Sequence, residues 1–234
     1  MIMNVRTMAH DFTTSLELDT PPIALAPCDR APAGVTPFEG SVPSACTFWR
    51  RAETAVFYAT AAQHFGCPIG ALVMGFALPA PVEGELKRLV GLMVEGGYLK
   101  EREPARIPAL PVKSAGVVYG PLAQFPIDPA FVVLWLTPRQ GMLLAEASGT
   151  TYWTHGSDAG LLGRPACAAL PVAATRSAAT VSFGCTGMRT FTEVADDRLL
   201  AVIPGREAPA VATALTGTLE ANRMMQAFYE SRKA

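Results

Sequence analysis

Two runs near the middle of the chain, "SAGVVYGPL" and "AFVVLWLTP", are apolar at consecutive positions, with no polar residue on alternate sites. A strand that faces water on one side alternates; one that does not is covered on both faces, so helices must lie above and below its sheet. The rest of the chain supplies such helices. Met3 to Leu18 has a helical apolar spacing (Val5, Met8, Phe12, Leu16). "VEGELKRLVGLMVEGGYL" places Leu86, Leu89, Val90 and Met93 on one face and stops at Gly96-Gly97. "PRQGMLLAEASG" is a further helix, and Ala208 to Arg232 forms a last one, packing through Val211, Leu215, Leu219, Met224 and Phe228.

Between them lie short strands: "PIALAP" (Pro22 to Pro27), "TAVFYATAA" (Thr54 to Ala62), "TTYWTHG", "AATVSF" and "RLLAVIPG". Cys28 to Ser44 is a Pro- and Gly-rich loop, and "RPACAALPVAATR" is a short helical piece interrupted at Pro171. Strands and helices alternate, so the class is α/β or α+β, a mixed sheet covered by helices. The expected organisation is a single domain over 1–234. Within it two intertwined half-repeats, about 20–100 and 112–205, precede a C-terminal helix at 208–232.

Charge narrows the functional classes. Only 17% of residues are charged and the net charge is −1, with no basic run, which argues against nucleic acid as a partner. The N-terminal stretch has no apolar signal region, and no segment reaches the length needed to span a bilayer. A cytoplasmic protein with reduced thiols is the expectation. No Gly-x-Ser-x-Gly, phosphate loop, His-Glu-x-x-His or dinucleotide fingerprint is present.

The cysteines carry the pattern. "PSAC" ending at Cys46 is followed by Phe-Gly-Cys ending at Cys67; "RPAC" ending at Cys167 is followed by Phe-Gly-Cys ending at Cys185. In each half an Ala-Cys opens a helical piece, a β-rich run follows, and Phe-Gly-Cys closes it, the sign of a degenerate internal repeat. Ser44 is a good N-cap for a helix with Cys46 in its first turn, and Pro68 suits the first position of a helix after Cys67. Thiols at helix starts face free N–H groups that favour the thiolate. Four converging thiolates select zinc, copper(I) or an iron–sulfur cluster; no Cys-x-x-Cys knuckle is present, and widely spaced ligands suit a cluster better than a zinc knuckle.

The alternatives are a metal-free pocket lined by cysteines that act as small apolar residues, and thiol–disulfide exchange within Cys46–Cys67 or Cys167–Cys185. His64, three residues before Cys67, is spaced to share a metal with it, but the preferred reading is a strand-end residue making an ordinary hydrogen bond. Arg189 and Arg164 each lie close to a paired cysteine and are candidates to clamp an anionic ligand, Arg189 being the preferred substrate-binding residue. Cys28 has no counterpart in the other half and is read as incidental.

These segments, "PPIALAP", Cys46, "CPIGALVMGF", "GPLAQFPIDPAFVVLWLTPRQGMLL", "GRPACAALP" and "FGCTGMRTFT…LLAVIPG", resemble in order the uncharacterised prokaryotic family known as domain of unknown function 169. The resemblance spans about Pro21 to Gly205. It implies a common site at Cys46, at Cys-x-x-Gly from Cys67 to Gly70, at Gly-Arg-Pro-x-Cys ending at Cys167, and at Gly-Cys-x-Gly-x-Arg from Gly184 to Arg189. It supplies no reaction. The expectation is therefore a metal-binding protein with Cys46, Cys67, Cys167 and Cys185 as ligands. An iron–sulfur cluster would be its cofactor and a small molecule or redox protein its partner; a homodimer is permitted but not required.

Overall fold

The computed structural model describes residues 4–99, 107–111, 113–154 and 165–233. Eight strands, β1 (Ile23–Cys28), β2 (Thr36–Pro37), β3 (Phe57–Thr60), β4 (Gly116–Pro121), β5 (Phe131–Leu136), β6 (Thr151–Trp153), β7 (Ala179–Ser182) and β8 (Leu199–Pro204), form one mixed sheet in the order β2-β3-β4-β1-β5-β8-β7-β6. The fold is α/β. Every residue of β4, β5 and β8 is buried, the outcome that the unalternating runs require.

Successive strand residues point to opposite faces, and each face has its own core. On one, Ala24, Val132, Leu134 and Ala201 pack beneath α1 (Val5–Leu16), α6 (Pro138–Ser148) and α9 (Ala208–Glu230). Thr137 and Gln140 form a capping box at the start of α6, and Gln140 Nε2 also donates to Leu16 O at 2.8 Å, fastening α6 to the end of α1. On the other face, Leu25, Tyr119, Val133, Trp135 and Val202 pack with α2 (Thr47–Ala52) and α7 (Ala169–Arg176). The remaining helices are α3 (Ala61–His64), α4 (Pro68–Val73), α5 (Ala80–Glu95) and α8 (Thr186–Thr192).

The pairing pattern is unchanged when the sheet is read from its opposite edge. Each edge pair is parallel, β2 with β3 and β6 with β7, and all inner pairs are antiparallel. At the centre β1 meets β5 as Ile23↔Val133, Ala24↔Val132 and Leu25↔Phe131. Pro121 pairs with Ile23, the first residue of β1, as Pro204 pairs with Phe131, the first of β5. This is a likeness of strand order and register. The connections differ, since α3 and α5 fall between β3 and β4 while α6 follows β5.

Four expectations need correction. The strand expected over Thr54 to Ala62 is confined to Phe57–Thr60, because Thr60 and Gln63 form a capping box that turns Ala61–His64 into a helix. Pro171 does not interrupt its segment: it is the third residue of α7, within the first turn, where no N–H is needed. The loop from Cys28 to Ser44 contains the edge strand β2. The C-terminal helix packs through Val211 and Leu215 and partly through Leu219, but Met224 is 68% and Phe228 51% exposed. At 23 residues α9 is about 34 Å long, and only its first turns, Ala208, Val211, Ala212 and Leu215, are buried. Among the described residues no helix is long and apolar enough to cross a membrane.

Candidate functional site

Four short helical starts point their first residues toward one another on the face of the sheet that carries α2 and α7. Cys46 immediately precedes α2, and Cys67 is the N-cap of α4, with Pro68 in the first helical position. Cys167 lies in the single 3₁₀ turn Ala166–Ala168 that leads into α7, and Cys185 is the N-cap of α8. The contacts cross between the two halves of the sequence: α2 packs on α8, and α4 packs on the Ala166–Ala168 turn.

The glycines of the two Phe-Gly-Cys segments have separate reasons. Gly184 has φ +86°, and a β-carbon there would fall 2.3 Å from Met188 Cε. Gly66 has an ordinary φ, but a β-carbon would lie 2.2 Å from Val42 O. Gly70, one turn into α4, leaves room for Ala45 Cβ and for Cys67 Sγ, which would stand 2.6 and 3.0 Å from an added methyl. The approach of the Cys46 turn to α4 therefore depends on the absence of side chains at Gly66 and Gly70.

All four cysteines line one cavity of about 460 Å³. Cys46 and Cys167 are buried; Cys67 and Cys185 are partly exposed. Burial drives the Cys46 thiol well above its ordinary range, and the charges of Cys167, Cys185 and Cys67 push it further, opposed by a hydrogen bond from Ser44. Burial likewise raises Cys167, followed by Cys67 and Cys185, against hydrogen bonds from the backbone N–H groups of Cys167 and Ala168. Cys185 Sγ accepts from Met188 N at 3.4 Å. Each of three sulfurs thus has a donor aimed at it. Among the described residues no group of three His, Cys, Asp or Glu side chains is drawn together tightly enough to hold a single ion.

The neighbouring candidates fall elsewhere. His64 is fully buried and its ring is committed: Nδ1 donates to Thr60 O at 2.7 Å, so Nε2 accepts from the Tyr119 hydroxyl at 2.8 Å. Burial lowers its pKa to about 4 and holds it neutral. Arg189 donates to the carbonyls of Phe183 at 2.6 Å, Arg198 at 3.0 Å and Ala195 at 3.1 Å, and lies 3.8 Å from the carboxylate of exposed Asp196. It borders a shallower groove that shares Cys185, not the cavity of the four thiols, and it ties the chain after α8 to the residue two before Cys185. Arg164 lies outside the described residues. Cys28 ends β1 and packs with the core on the opposite face, apart from the other four.

The roof of the cavity is α5. Its apolar stripe was legible in the sequence as a helix face, but none of its sixteen residues is buried, and Leu89, Val90 and Met93 look onto the thiol cavity instead of into a core. The amphipathic spacing of a core helix and of a roof helix is the same, so the sequence held no signal to separate them.

The profile of domain of unknown function 169, described as uncharacterised ArCR, matches residues 11–214, and the chain belongs to that family. No curated protein and no solved structure matches it.

Proposed function

We propose that Cys46, Cys67, Cys167 and Cys185 hold an iron–sulfur cluster, used for electron transfer or for chemistry on a small molecule bound beside it. The observation that carries this reading is the convergence of four thiols, from four separate helix starts, on one cavity. Soft thiolates suit iron–sulfur centres, and hydrogen bonds to their sulfurs, such as those from Met188 N and Ser44, are among the groups that set a cluster's potential.

When bound, such a cluster supplies one-electron chemistry. The chain's own part is to keep Cys46 and Cys167 out of water, to aim N–H and O–H donors at the sulfurs, and to cover the site with α5. The two halves of the sheet are read as equivalent frames, each contributing one buried and one partly exposed cysteine. A compartment that keeps thiols reduced, the cytoplasm, fits this use.

A second reading, a metal-free small-molecule pocket, is favoured by one observation: burial keeps Cys46 and Cys167 protonated when nothing positive is near. Anaerobic purification followed by visible spectroscopy and analysis of iron, sulfide, zinc and copper on one sample separates the two. The expected result is a brown protein with about four iron and four sulfide per chain, whose spectrum and melting temperature both change on chelation. A colourless, metal-free protein, or one indifferent to chelation, would overturn the cluster in favour of the pocket. Alkylation mapping on that sample would then expose any Cys46–Cys67 or Cys167–Cys185 disulfide.

A further inference from the structure

We propose that the space between α5 and the four thiols is a binding chamber for a small, uncharged and largely apolar molecule. Leu89, Val90 and Met93 of α5 form its roof, and Ile69, Ile107 and Phe191 form much of its wall. Its volume of about 460 Å³ lies in the range of ligand sites, roughly 300–1,000 Å³.

The charged groups decide the ligand class. Among the described lining residues there is no Lys, Arg or His. The carboxylate among the described lining residues, Glu85, is held by Arg88 through contacts of 2.6 and 2.9 Å. Arg189, the nearest candidate clamp for an anion, is bound to three carbonyls and faces a different groove. An anion seated against these described walls would lose its water with no cation among them to replace it. A neutral apolar molecule would instead cover the half-buried stripe of α5, the only large face of that helix with apolar residues to bury.

That the ligand would meet a redox centre rests on the proposed cluster; the chamber's preference for a neutral molecule does not. The test therefore uses two probes of nearly equal size, para-fluorotoluene and para-fluorobenzoate, each titrated against the full-length protein as purified and followed by fluorine NMR line width. Iron is measured on the same sample. Para-fluorotoluene should broaden saturably and para-fluorobenzoate should not. Leu89→Glu and Val90→Trp, both on a helix with no buried residue, should weaken the neutral probe roughly tenfold or more while leaving the melting temperature near the parent value. Equal binding of the two probes, preference for the carboxylate, or binding unaffected by both variants would overturn the proposal. Iron-free protein that binds para-fluorotoluene would sink the cluster and keep the chamber; iron-loaded protein that ignores it would do the reverse.

Discussion

Gly66 and Gly184 occupy the same place in the two Phe-Gly-Cys segments, yet they are constrained by different things, and substitution separates them. At Gly66 the obstacle is a backbone carbonyl, Val42 O, which cannot rotate away. Gly66→Ala should push the Val42–Cys46 segment outward, costing about 1–3 kcal/mol as overpacking does, and should lower bound metal together with the melting temperature. At Gly70 the obstacles are Ala45 Cβ and Cys67 Sγ, both at the site itself. Gly70→Ala should displace the thiol and so reduce metal content by more than its effect on melting would account for. Metal analysis beside thermal denaturation checks both. Unchanged metal in Gly70→Ala would mean that Cys67 is not a ligand. A third residue, Tyr119, is paired through its hydroxyl to the neutral His64 ring. Tyr119→Phe leaves a buried acceptor without its donor and should cost about 1–3 kcal/mol, read as a lower denaturation midpoint at unchanged m.

Elements differ in how far the sequence exposes them. The three strands buried on both faces, the capped helix α6 and the proline-started α4 were legible because local chemistry and tertiary burial agree there. The four cysteines that the repeated Phe-Gly-Cys pattern pairs in the sequence line one cavity in the fold. Three features were missed. The helix α3 carries the local Thr60-x-x-Gln63 capping-box signature inside a β-rich run, and only the further contact from Gln63 to Phe38 O lies outside any local pattern. The outer turns of α9 carry large apolar residues, Met224 and Phe228, as its inner turns carry Val211 and Leu215, and no local pattern tells the exposed from the buried ones. The arginine beside Cys185 has carbonyl partners up to nine residues away, so its commitment was invisible. Burial also predicts dynamics. Amides of α5, which buries no residue, should exchange with deuterium far sooner than those of β4, β5 and β8, and should slow when the cavity is filled. Exchange followed by mass spectrometry checks this, and equal protection of α5 and β5 in the empty protein would contradict a roof held only from one side.

Two groups of buried titratable side chains on one face of the sheet limit stability from opposite directions. His64 has its pKa lowered by burial from 6.5 to about 4. The unfolded chain therefore binds the proton first as pH falls, so stability is intact above about 6.5 and drains away as pH falls toward 4, by about 3 kcal/mol over the interval. Cys46 and Cys167 have pKa values raised above the ordinary 9.0, chiefly by burial. Here the unfolded thiols ionise first, so stability is present below about pH 9 and is lost as pH rises past it. The metal-free protein should thus show a plateau between these limits, with the acid limb flattened in a His64 variant that folds and the alkaline limb flattened in Cys46→Ala. A bound positive centre reverses only the second limb, because it holds the thiols as thiolates and releases their protons on binding. Urea midpoints measured anaerobically across this range, with and without iron, therefore compare the two functional readings through stability alone. If iron leaves the alkaline limb unchanged, the buried thiols are not its ligands, whatever the colour of the preparation.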